Sequence, residues 1–187
     1  MSYLLDANVF MAANNSHYGL DFCPAFWDWL IRENASQKVF SIEKVGDEIE
    51  AGVDKLSDWA REEGSSLFLK PDEEVLKGMG RVSQWVSENG YAPAAVNTFL
   101  QVADYWLISH ALAHGYTVVT HEKPANTPNK IKIPQCLRGA GHQGDDAVRN
   151  AAPRTGAFCA GRWCVNVAST RVNDENHTGA RGPAHLN

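Results

Sequence analysis

The chain is 187 residues long, 44% hydrophobic and 21% charged, with a net charge of −5. That length suits one domain with a substantial core. No apolar run reaches the ~18–20 residues needed to span a bilayer, and the acidic balance excludes a simple polycationic nucleic-acid binder. The N-terminus lacks a basic segment followed by a long apolar one, so no secretory signal is expected. Cys23, Cys136, Cys159 and Cys164 form no CxxC pair and no disulfide-dense pattern, which fits free thiols in a cytoplasmic protein. Charge is unevenly spread. Residues 136–187 carry six Arg against four acids, for +2, and the preceding 135 carry eleven Lys plus Arg against eighteen acids, for −7.

In chain order, Tyr3-Leu4-Leu5 is a short apolar run ending on Asp6, with an amide, Asn8, two residues later. Such a run reads as a buried strand entering a loop, and the end of a central strand is where α/β proteins place their chemistry. Residues 14–19 read as a loop. Phe22, Phe26, Leu30 and Ile31 recur at helical spacing, with Pro24 tolerated in the first turn. A second strand, Val39–Ile42, leads into one long helix with its stripe on Val45, Ile49, Val53, Leu56 and Ala60. Gly64 stops it, and Leu67-Phe68-Leu69 forms a third strand closed by Pro71.

Asp72-Glu73-Glu74 places negative charge where a helix macrodipole favours it, and Val75, Met79, Val82 and Val86 make that helix's stripe up to Asn89-Gly90. Pro93 opens a further helical stretch through Leu100. Asp104 begins a strongly patterned helix carrying Leu107, Ile108, Ala111 and Leu112, with Gly115 as its C-terminal cap and His110 and His114 on its solvent side. Residues 116–120 form a fourth strand ending on His121-Glu122, and Ile131-Lys132-Ile133 alternates like a fifth. Five of the six tryptophans, at 27, 29, 59, 85 and 106, read as packing residues. Alternation of this kind predicts an α/β fold with a mostly parallel sheet of four or five strands. From residue 136 on, the chain holds seven of the fifteen Gly and no Lys, and shows no sustained period. It reads as an irregular tail, consistent with disorder or with an out-of-frame reading of a GC-rich gene.

Four acids recur in comparable settings. Asp6 ends the first strand, Glu48 lies in the helix after the second, Asp104 begins the helix before the fourth, and Glu122 follows the fourth. Strand C-termini of a parallel sheet share one edge, so Asp6 and Glu122 converge there and the two helical acids reach in. Burying carboxylates costs several kcal/mol unless a cation compensates. Oxygen-rich sets suit Mg²⁺ or Mn²⁺, and two such ions about 3.5–4 Å apart serve phosphodiester cleavage. Glu43 competes with Glu48 for the second position. Asp104 also suits a helix cap, Asn8 suits a turn, Thr120 suits a backbone-satisfying role, and His121 reads as a surface or supporting residue.

At these residues the chain resembles the PIN-domain family of metal-dependent ribonucleases, which includes the VapC-type toxins of bacterial toxin–antitoxin pairs. Leu4-Leu5-Asp6-Ala7-Asn8-Val9 is similar to the family's first-strand signature. Glu48-Ile49-Glu50-Ala51-Gly52 resembles its second acidic motif, and the helix opening Ala103-Asp104-Tyr105 its third. Val118-Val119-Thr120-His121-Glu122 corresponds to a strand ending Thr-x-Asp, with Glu in place of Asp. Residues 21–30 further resemble a PIN-like subfamily of uncharacterised bacterial proteins.

The resemblance covers residues 1–135 and implies a three-layer α/β/α PIN-like fold. It also implies an endoribonuclease with one or two Mg²⁺ or Mn²⁺ on Asp6, Glu48, Asp104 and Glu122, with Asn8 orienting the site. An RNA substrate, a small antitoxin partner and a homodimer follow from the same likeness. Two other readings stand beside it. One is a non-catalytic PIN-like interaction module. The other is a phosphohydrolase using Asp6 as covalent nucleophile, against which stands Asn8, where that chemistry wants a second Asp.

Overall fold

The computed structural model describes residues 1–125 and 127–141 and the backbone of 148–150. Its centre is β1 (Tyr3–Leu5), which pairs in parallel with β2 (Val39–Ile42) on one side and β4 (Thr117–Thr120) on the other. Tyr3 is in register with both Val39 and Thr117. β3 (Phe68–Leu69) and β5 (Val148–Asn150) pair in parallel at the two edges, giving the order β3-β2-β1-β4-β5. Helices on both faces of a parallel sheet bury both faces of its inner strands, which is why β1 and β2 read as largely apolar runs without alternation. Leu4, Ile42 and Val118 are fully covered, and Ser41, buried among them, satisfies its hydroxyl by donating to the Leu5 carbonyl at 2.7 Å.

Helices cover both faces, so the expected three-layer α/β/α architecture is the one observed. The helices are α1 (Ala7–Ala12), α2 (Pro24–Ala35), α3 (Glu43–Glu50), α4 (Lys55–Glu62), α5 (Glu73–Glu88), α6 (Pro93–Phe99), α7 (Ala103–His114) and α8 (Ile133–Gly139). α5 and α7 form the most extensive helix pair, and α7 also packs on β2, β4, α3 and α8. Their backbones approach closely at Gly78, where a Cβ would lie 2.8 Å from the Ser109 carbonyl oxygen. Gly115 ends α7 at φ 68°, a left-handed geometry that glycine adopts without penalty.

Several local expectations are corrected. The long helix from Val45 to Ala60 is two helices. Asp54 accepts from the Ser57 amide at 3.0 Å and Ser57 returns a bond to the Asp54 amide, a capping box that starts α4 afresh and leaves Val53 fully exposed. The loop at 14–19 is largely a π-helical turn, Ala13–His17. Leu67 closes a 3₁₀ turn, which shortens the third strand to two residues. Ile131-Lys132-Ile133 is not a strand. Lys132 is the N-cap of α8 and Pro134 sits in its first turn, where a missing N–H costs nothing.

His110 is 2% exposed, not on the solvent side, because α7 is covered on nearly every face. Burial pushes its imidazole down to about 4, and the neighbouring charge of His114 adds to that. His114 is exposed, on the solvent side as expected, and its Nε2 faces Asp72 Oδ2 at 3.0 Å. Trp27 and Trp59 are buried and Trp29, Trp85 and Trp106 half-buried, as packing residues should be. The tail boundary at 135 falls inside α8, and β5 gives residues 148–150 a place at the sheet edge. Cys159, Cys164 and the rest of the proposed tail beyond Asn150 lie outside the described residues.

Candidate functional site

Strand order reverses direction at β1: the chain moves outward through β2 and β3, then returns to place β4 on the other side. A crevice forms beyond the strand C-termini at such a switch point, and it is where open α/β sheets bind ligands. Asp6 and Asn8 lie just past β1, Thr120 ends β4 and Glu122 lies just past it, so the topology delivers them to one place.

Asp6 takes the N-cap position of α1 and is 5% exposed. Its Oδ2 accepts from the Thr120 hydroxyl at 2.7 Å and from the Asn8 side-chain amide. Thr120, fully buried, also accepts at Oγ1 from Asn8 Nδ2 at 3.2 Å and from the Glu122 amide at 3.0 Å. Asn8 Oδ1 accepts from the His121 amide at 3.1 Å. Asn8 and Thr120 therefore clamp the ends of β1 and β4 together and fix the Asp6 carboxylate. Asn8 is more than a turn former, and Thr120 does more than satisfy backbone.

The other acids sense Asp6. Asp104 occupies the second position of α7, with Val102 as N-cap, so it is not the cap itself. Burial pushes its carboxyl up to about 7, helped by the charges of Asp6, Glu122 and Glu48 and opposed by Lys132. Glu48, on α3, is raised by burial and by the charge of Asp6. Asp6 is raised by burial and by Glu122, against the lowering bond from Thr120. Glu43 lies elsewhere, in a small hollow with Ile42, Lys44, Leu69, Pro71, Trp106 and His110. Of the two candidates for the second acid, Glu48 is the one that joins the cluster.

Glu122 is engaged differently. Lys132 forms an ion pair with its Oε1, and the Ile133 amide, one of the unpaired donors at the start of α8, donates to its Oε2 at 3.0 Å. Both side chains of the pair are largely covered, at 18% and 14% exposure. Burial alone lowers the Lys132 pKa, but the bond and charge of Glu122 and the charge of Asp104 outweigh it and the net shift is upward. Lys132 is the residue that sequence reasoning missed. Its alternation with Ile131 and Ile133 marked it as the solvent side of a strand, and no local signal ties it to an acid ten residues away.

The set fits a hard divalent cation in kind: carboxylate oxygens that repel one another are what Mg²⁺ and Mn²⁺ satisfy. It is not closed as a cage, since among the described residues no group of three or more His, Cys, Asp or Glu side chains is arranged to hold a metal ion.

A family model described as "Domain of unknown function (DUF4411)" matches residues 3–142. The chain belongs to this family. The DUF4411 match takes in every residue of the cluster and runs through α8. No curated protein matches the chain. Among solved structures, it is similar to a chain of VapBC2 from Rickettsia felis bound to a DNA fragment from their promoter, at 19% identity and TM-score 0.44 over 65% of this chain and 89% of that one. It is also similar to a chain of FitAB bound to IR36 DNA, at 19% identity and TM-score 0.47 over 79% of this chain and 94% of that one. No helix among the described residues is long and apolar enough to cross a membrane.

Proposed function

We propose that this DUF4411 protein is a metal-dependent endoribonuclease of the PIN type, hydrolysing RNA phosphodiester bonds and held in check by a small antitoxin partner. The observation that carries this reading is the gathering of Asp6, Glu48, Asp104 and Glu122 at the sheet's C-terminal edge, where burial, reinforced by the charges of Asp6, Glu122 and Glu48, holds the Asp104 carboxyl up at about 7. Purely structural acids are normally placed beside cations, and a cluster that opposes its own ionisation marks a functional site. Asp6, Glu48 and Asp104 would hold Mg²⁺ or Mn²⁺, with Glu122 at their border. The ion would supply an activated water and stabilisation of charge at the phosphate.

The chain's own residues do the rest. Thr120 and Asn8 fix the angle of the Asp6 carboxylate. The start of α7 adds a favourable dipole for an ionised Asp104. The RNA substrate and the antitoxin follow the resemblance at the acidic motifs. An interaction module without catalysis is favoured by one observation, the absence of a closed three-ligand group among the described residues.

Titration with Mn²⁺ by calorimetry, beside cleavage of a mixed RNA pool, separates the two. Wild type should bind saturably and cut, and Asp104→Asn should lose both while keeping its fold. Wild-type protein that takes up no Mn²⁺ and leaves the pool intact would hand the case to the interaction module.

A further inference from the structure

Among the described residues, Lys132 is the cation whose charge opposes the raised pKa of Asp104, the most strongly perturbed acid of the cluster. Its position is built rather than incidental. Lys132 is the N-cap residue of α8, and Glu122 grips it and the first free amide of that helix with separate oxygens. A carboxylate occupied on one side by an ammonium group and on the other by a helix N-terminus has little left to offer a metal ion.

We propose that Lys132 is a resident positive charge of the site, and that Glu122 is a positioning residue that holds Lys132 and α8 in place rather than an ion ligand. On this reading, which rests on the metal-dependent nuclease proposed above, the site takes one divalent ion, on Asp6, Glu48 and Asp104. The ammonium group supplies positive charge that a second ion would otherwise have to bring. The chain thereby meets the excess negative charge of four acids with one exchangeable cation and one covalently tethered one.

The test is Mn²⁺ titration of the full chain, reading both stoichiometry and affinity, in wild type, Lys132→Met and Lys132→Arg. Folding of each is checked by circular dichroism and melting. Wild type and Lys132→Arg should bind one ion with affinities within threefold of each other. Lys132→Met, having lost the competing charge and released Glu122, should bind at least tenfold more tightly or take up a second ion. A lysine that merely packs would give the opposite result, weaker binding in both variants.

Should Lys132→Met not fold, Lys132→Gln, which keeps a donor toward Glu122, replaces it with the same expectation. Unchanged or weakened binding in a folded, uncharged variant, or two ions in wild type, overturns the role of Lys132 and leaves the nuclease reading standing. Failure of every protein to bind Mn²⁺ overturns both. Binding by the uncharged variant alone overturns the one-ion site, because Lys132 would then exclude the ion rather than stand beside it.

Discussion

Asp104 carries an energetic conflict that its pH dependence will expose. Its carboxyl ionises near 3.8 in an unfolded chain and at about 7 in the folded one. Between those values the folded protein holds the extra proton, so stability falls as pH rises through this window. Above about 7 both states are ionised and the cost is complete; below 3.8 it vanishes. Three units would amount to about 4 kcal/mol at most, at 1.36 kcal/mol per unit, and the solvent at the crevice mouth lowers that ceiling. Asp104→Asn should therefore melt higher than wild type at pH 8 in chelator, with the advantage shrinking toward pH 4; equal melting points at both pH values would count against the buried-charge account. At this scale the sequence was informative about residue types and poor about pairings. Asp6 and Asp104 announced themselves by standing at element boundaries. Glu122 announced itself too, but its commitment to Lys132 and Ile133 depends on how the 123–132 loop folds back, which no periodicity records.

Element by element, apolar patterning located α2, α5, α6, α7 and the first four strands because buried faces must be apolar at the right period. It failed where side-chain chemistry overrode the pattern. Asp54 and Ser57 restart a helix in the middle of a continuous stripe, and Glu122 recruits Ile133 into a helix although the local alternation suggested a strand. Helix α5 offers a clean contrast between two of its glycines. Gly78 faces the Ser109 backbone at 2.8 Å from any added Cβ, whereas nothing lies within 4 Å of one at Gly80. Gly78→Ala should push α5 off α7 and destabilise by about 1–3 kcal/mol. Gly80→Ala, at an open helix position, should stabilise by about 0.5–1 kcal/mol. Urea melts of the pair decide it, and like-signed effects would show that α5 and α7 do not touch there.

For the molecule as a whole, strand–helix alternation predicted a parallel α/β sheet, and the order β3-β2-β1-β4-β5 explains why four acids spread over more than a hundred residues meet. The order itself was not legible, because nothing in a strand's own residues says which neighbour it chooses. It makes a firm demand. Both sides of β1 must be paired before its C-terminal carboxylate is seated, and one side is β4, so a chain released after Gly115 should show no cooperative thermal unfolding and rapid proteolysis. A protease-resistant, cooperatively melting fragment would mean that β4 is dispensable to the core.

The same arrangement sets a clock on the ribosome. Asp6 is among the first residues made, yet the hydroxyl that orients it is 114 positions downstream. At the usual translation speed of about 5–20 residues per second, roughly 6–20 s separate the two. Throughout that interval the nascent chain carries the carboxylate without the means to aim it, so the RNA cleavage proposed for this centre could not begin on the message that encodes it until nearly all of the domain has been read.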